Sequence, residues 1–190
     1  MNALDLRAFE AQIAQDFSMG SIPGPVHLSG GNEDELISIF REVKPSDWVL
    51  STWRSHYHAL LKGVPPFKVR NEILAGRSMQ LHFPSHKFLT SAIVGGILPL
   101  ACGLAAGGEK VWCFVGDMTA STGLFKEATQ LALGQDLNIT FVTEDNGLST
   151  NTPTELAWGE GTHRQNGMFR RYSYKRQWPH YQPLSSSKGF

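Results

Sequence analysis

The chain has 190 residues, 41% of them apolar and 18% charged, with 17 basic side chains balanced by 17 acidic ones. That length suits one domain of ordinary size, and the apolar content excludes a chain disordered throughout. The low charged fraction fits a surface partly covered by another subunit, and two cysteines in apolar runs, Cys102 and Cys113, exclude a disulfide framework and point to the cytosol.

Leu6, Phe9, Ile13 and Phe17 recur at helical spacing, so the N-terminus reads as an amphipathic helix and not as a signal peptide. A Gly/Pro loop follows. Asn32 with Glu35 three residues on forms a capping-box pattern that opens a second helix, NEDELISIFREV. DWVLSTW reads as a strand running into a basic loop, and residues 63–91 as mostly irregular with one short helix. SAIVGGILPLACGLAAGG, rich in small residues, reads as a tightly packed helix. It holds a proline and many glycines and falls short of the roughly 20 residues a membrane span needs, so no span is expected.

The most regular part follows: an apolar run at 111–115, a Gly-Asp turn, a helix over 123–133 and a second apolar run at 139–143. Strand, loop, helix and strand make a βαβ unit, whose ligand crevice lies beyond the carboxyl ends of the strands. Asp117 follows the first strand and Glu144, Asp145 and Asn146 the second, so chemistry is expected there.

Charge is segregated along the chain. Residues 1–160 hold all 17 acids, whereas 161–190 carry six bases and no acid, interleaved with aromatics from Phe169 to Tyr181. Two parts are expected: an α/β domain over 1–160, and a basic aromatic tail over 161–190 that docks on acids of this chain or of a partner. Single-stranded nucleic acid is the less favoured alternative for that tail.

There is no GxxxxGK loop, GxGxxG turn, CxxC pair, HExxH or GxSxG, which argues against ATP hydrolysis, dinucleotide binding, structural zinc and serine hydrolysis. His56 and His58, with His82 and His86, are candidate metal ligands, set against the alternative of polar histidines lining a loop.

A stronger pattern is Gly116-Asp117-Met118, then 26 residues, then Asp145-Asn146. This resembles the thiamine-diphosphate motif of Gly-Asp-Gly, some two dozen residues and Asn-Asn; one helix and one strand of that length set the two turns side by side. GPVHLSGGNEDELISIF, STWRSHYHALLKGVP and SAIVGGILPLACGLA, with Gly123 and Glu127, resemble segments of the alpha subunits of thiamine-dependent 2-oxo-acid dehydrogenases. The likeness runs in one order from about residue 8 to 155.

That resemblance implies a three-layer α/β/α fold with a mainly parallel sheet, the thiamine-diphosphate-binding fold of transketolase-like enzymes. It also implies a site. Asp117, Asn146 and the carbonyl of Leu148 would hold Mg²⁺, which favours about six oxygen ligands. Arg54 would contact the diphosphate, with Trp53 beside it. Backbone groups of Ala92 and Val94 would meet the aminopyrimidine ring, and those of Met118 and Thr119, after Gly116, the phosphate. His56 and His58 would serve the substrate side of the cleft or else orient a loop. Two residues depart from the pattern: Met118 replaces a glycine, which would strain the turn if it needs positive φ, and Asp145 replaces the first Asn.

In the family the glutamate that activates the cofactor lies on a separate pyrimidine-binding domain, for which this chain leaves no room. The expectation is half an enzyme, working as a heterotetramer with a beta-type or transketolase-type subunit on a 2-oxo acid. A two-carbon transferase and a non-catalytic scaffold are the alternatives.

Overall fold

The computed structural model describes residues 1–158 and 169–181. The boundary expected at residue 160 lies outside them, as do Arg164 and Lys188. The chain runs α1 (Ala3–Ser18), β1 (Val26–His27), α2 (Glu33–Phe40), β2 (Trp48–Ser51), α3 (His56–Leu61), α4 (Pro66–Leu74), β3 (His82–Phe83), β4 (Phe88–Thr90) and α5 (Ile97–Ala106). Then come β5 (Val111–Gly116), α6 (Asp117–Ala120), α7 (Gly123–Gly134), β6 (Ile139–Asp145), β7 (Leu148–Ser149), β8 (Thr152–Pro153), α8 (Thr154–Trp158), β9 (Phe169–Ser173) and β10 (His180–Tyr181).

One six-stranded sheet has the order β3-β4-β2-β5-β6-β9, parallel throughout except for β3 against β4. Side chains of β5 alternate between two cores, as a pleated strand requires. Trp112 and Phe114 join α1 to α4 on one face, while Val111, Cys113 and Val115 join α5 and α7 on the other. Helices therefore cover both faces, giving three layers. No helix among the described residues is long and apolar enough to cross a membrane.

Several local expectations change. The capping box at α2 does not form: Glu35 is exposed, and the buried Asn32 turns its amide to Tyr172 Oη at 3.0 Å. A capping box instead opens α1, where Asn2 and Asp5 exchange hydrogen bonds. Residues 63–91 are more ordered than expected, because β4 enters the parallel sheet beside β2. The tail also belongs partly to the domain. Strand β9 pairs with β6, and its Arg170 and Arg171 meet Glu42 and Asp145 of this chain. Phe169, Tyr172, Trp178 and Tyr181 pack against the two cores instead of forming a free stacking platform.

Glycine is required at residue 31. Its φ is +97°, and an added Cβ would lie 2.6 Å from the Lys175 carbonyl oxygen. Gly31→Ala should cost about 1–3 kcal/mol, read as a lower urea midpoint with an unchanged slope.

Candidate active site

Counted in chain order, the five parallel strands lie 2-1-3-4-5 across the sheet. That order reverses direction between β2 and β5, and ligands of open α/β sheets bind at such a point, beyond the strands' carboxyl ends. A cleft lies there. Its walls are Thr52, Trp53 and Arg54 after β2, Val94 before α5, and Gly116, Asp117, Met118 and Thr119 at the end of β5. Glu144, Asn146, Leu148, Ser149 and Thr150 from the end of β6, and Tyr174 after β9, complete it.

Strands β5 and β6 pair in register from Val111↔Ile139 to Gly116↔Glu144, which fixes Asp117 and Asn146 on neighbouring strand ends. Asp117 is 2% exposed, and its carboxylate accepts a hydrogen bond from the Thr154 hydroxyl. Burial, and then the charge of Asp145, raise its pKa, against the pull of Thr154. Asn146 Oδ1 accepts from the Leu148 amide at 2.9 Å while its Nδ2 donates to Tyr174 Oη at 3.2 Å. Asp145, the residue that departs from the Asn-Asn pattern, does not line the cleft; it binds Arg171 and the Gly147 amide. Met118 sits in helix α6 and is not among the residues with positive φ, so its side chain costs the turn no left-handed strain.

Arg54 is 9% exposed and donates through Nε to the Leu28 carbonyl at 3.0 Å. Among the described residues no carboxylate lies within ion-pair distance of it. The loop carrying Leu28 is fastened from behind by Glu10, whose carboxyl accepts the Ser29 amide at 2.9 and 3.0 Å. Burial pushes Glu10 up to about 8.

The donor set suits a metal-bound diphosphate. Asp117 and Glu144 would repel bare phosphate from one wall, whereas a divalent cation between them and the anion turns that repulsion into binding. Arg54 lines the same cleft with a guanidinium that makes no salt bridge among the described residues. Gly116 has ordinary extended backbone, and a Cβ there would meet no protein atom within 4 Å, so the glycine leaves open space.

Other expected residues lie elsewhere. Ala92 is outside the cleft lining although Val94 is within it. His56 and His58 sit on helix α3, not on a strand, and are 1% and 0% exposed. His56 Nε2 is 2.9 Å from Ser78 Oγ, and burial pushes its pKa down to about 3. His58 Nε2 lies 3.2 Å from Glu144 Oε1, near enough for an ion pair but without hydrogen-bond geometry. His58 therefore reaches the cleft through Glu144 and not directly. Among the described residues no group of three His, Cys, Asp or Glu forms a metal site.

Thr154 and Tyr174 carry no signal in the sequence, because Thr154 opens α8 outside the motif and Tyr174 follows β9, whose pairing with β6 is long-range. Glu144 was legible as a polar residue at a strand end.

Comparison with known proteins gives the family of the chain. The family model described as dehydrogenase E1 component matches residues 1–167. The chain is 34% identical over 163 residues to the alpha subunit of acetoin:2,6-dichlorophenolindophenol oxidoreductase of Cupriavidus necator, covering 77% of this chain and 49% of that one. The Bacillus subtilis subunit of that name is 32% identical over 81% of this chain and 51% of its own. The pyruvate dehydrogenase E1 component subunit alpha of Porphyra purpurea is 34% identical over 74% of this chain and 47% of its own. The chain thus spans about half the length of these relatives, and over that span it belongs to the dehydrogenase E1 component family.

Proposed function

We propose that this chain is the diphosphate- and Mg²⁺-binding half of a thiamine-diphosphate-dependent enzyme acting on a 2-oxo acid, completed by a pyrimidine-binding partner subunit. The observation that carries the reading is the placing of Asp117 and Asn146 on adjacent strand ends, in one cleft with Arg54, which makes no salt bridge among the described residues. In this reading Asp117, Asn146 and the Leu148 carbonyl hold Mg²⁺, and Arg54 holds the diphosphate. Trp53, Val94, Gly116, Met118 and Thr119 shape the cleft around the cofactor. When bound, the cofactor supplies a carbon nucleophile and an electron sink.

His56 and His58 act from inside the fold: His58 steadies the Glu144 carboxylate, and His56 holds Ser78. Met118's helical backbone removes the strain on which a non-catalytic scaffold reading would rest. The relatives' designation as alpha subunits supports a partner and, with it, a heterotetramer. Cys102 and Cys113, both unpaired and buried, suit a reducing compartment such as the cytoplasm.

Calorimetric titration of the purified chain with thiamine diphosphate should give binding with Mg²⁺ and none in chelator. Turnover of a 2-oxo acid should require the partner subunit. Equal binding in chelator, or turnover at an enzymatic rate by the chain alone, would overturn the proposal.

A further inference from the structure

The segment from Tyr174 to Tyr181 leaves the end of β9 and returns to β1, touching both sides of the cleft on the way. At its start the Tyr174 amide donates to the Asp145 carbonyl at 2.9 Å, and Arg176 donates to the Thr150 carbonyl at 2.7 Å and to Asn151 Oδ1 at 3.2 Å. Further on, the Gln177 amide reaches the Ser29 and Gly30 carbonyls at 3.3 and 3.2 Å, and β10 pairs with β1. One stretch of backbone therefore ties the loop bearing Asn146 and Leu148 to the loop whose Leu28 carbonyl holds Arg54.

Tyr174 is the residue of this segment that lines the cleft. Its ring stands 5.9 Å from that of Tyr172. The hydrogen bonds around it admit one orientation of Asn146. The Leu148 amide is a donor, so the side-chain atom facing it must be Oδ1, and Nδ2 must face the phenol. A phenol that accepts from Asn146 keeps its own hydrogen to give. Among the described residues no acceptor takes that hydrogen.

We propose that Tyr174 is a further cofactor-positioning residue, whose oxygen fixes the Asn146 amide for the metal and whose hydroxyl donates to the diphosphate. The proposal rests on the reading that the cleft takes Mg²⁺ and thiamine diphosphate.

The test is Tyr174→Phe in the full chain, which keeps the ring and removes only the hydroxyl. Affinity for thiamine diphosphate with Mg²⁺ should fall about 10- to 100-fold, the cost of losing a hydrogen bond to a charged group. Affinity for inorganic pyrophosphate with Mg²⁺ should fall in parallel, and the ligand-free urea midpoint should fall by no more than the loss of the one bond from Asn146. Pyrophosphate binding that does not weaken would show that the hydroxyl does not meet the diphosphate and would overturn the proposal. A weakened variant whose ligand-free midpoint drops as far as its affinity does would assign Tyr174 to the fold and overturn it as well. If the parent binds and Tyr174→Phe binds equally, this inference alone fails; a parent that binds neither ligand removes the proposed function and this inference with it.

Discussion

Asp117→Asn should abolish the Mg²⁺-dependent binding of thiamine diphosphate, by at least about 100-fold, since even outer-shell partners of metal ligands cost 10- to 100-fold when lost. The amide keeps the shape of the carboxylate and a group to meet Thr154, so the fold should survive. It lacks the negative charge that offsets a divalent cation, and it brings an N–H donor where the metal needs oxygen. Asp117→Ala should lose binding to the same extent. Calorimetry of parent and variants, with circular dichroism to confirm folding, checks this. An Asn variant that binds as the parent does would remove Asp117 from the ligand set.

The second large effect is on stability as a function of pH. Burial holds His27 and His56 neutral in the folded state, with pKa values down at about 3 against an ordinary 6.5. His27 is faced by Arg54, His180, His56 and Arg176, which also disfavour its charge, and His56 by His58 and Arg54, with the Glu10 carboxyl 4.0 Å from its Nδ1. Glu10 behaves oppositely, raised to about 8 from 4.5. Between pH 3 and 6.5 the unfolded chain binds two more protons on the histidines than the folded one, so stability falls on acidification. Each proton contributes about 1.4 kcal/mol per pH unit. Between pH 4.5 and 8 the folded chain holds one extra proton on Glu10, so that contribution is present at low pH and is lost as pH rises. These three groups together place maximal stability near pH 6.5, and the lowered pKa values of His180 and of the Asp16, Glu33 and Asp145 carboxyls steepen the acid limb further. Urea unfolding at a series of pH values reads this directly. His27→Gln should flatten the acid limb and Glu10→Gln the alkaline one, whereas a flat parent curve from pH 4 to 8 would contradict the argument.

The βαβ unit was legible because its signals are local. Apolar runs at 111–115 and 139–143 can only be buried strands when a helix of the right length separates them, and the polar groups that follow must then share a crevice. Strand β4 was not legible, since Phe88–Thr90 is too short to show a period and follows Lys87, whose φ of 50° no pattern announces. Asn32 misled for a different reason. Its side chain satisfies the capping pattern in sequence but finds Tyr172, 140 residues away, a better partner. The histidines of RSHYH lie just after Arg54 in the chain, yet α3 begins at His56 and carries them inward. Tyr174 reads only as one aromatic among several in a basic tail. Its place in the cleft depends on β9 pairing with β6, which no local pattern encodes.

The pairing of β1 with β10 sets the order in which the molecule can mature. Val26 and His27 are made long before their partners Tyr181 and His180. Until then the Leu28 loop lacks its clamp and the Asn146 loop lacks Tyr174. The sheet from β2 to β6 can form while the chain is still being made, since domains fold as their residues become available. The closing contact is long-range and pays its loop-closure entropy last. Cofactor loading would then wait for the closing of β10 on β1.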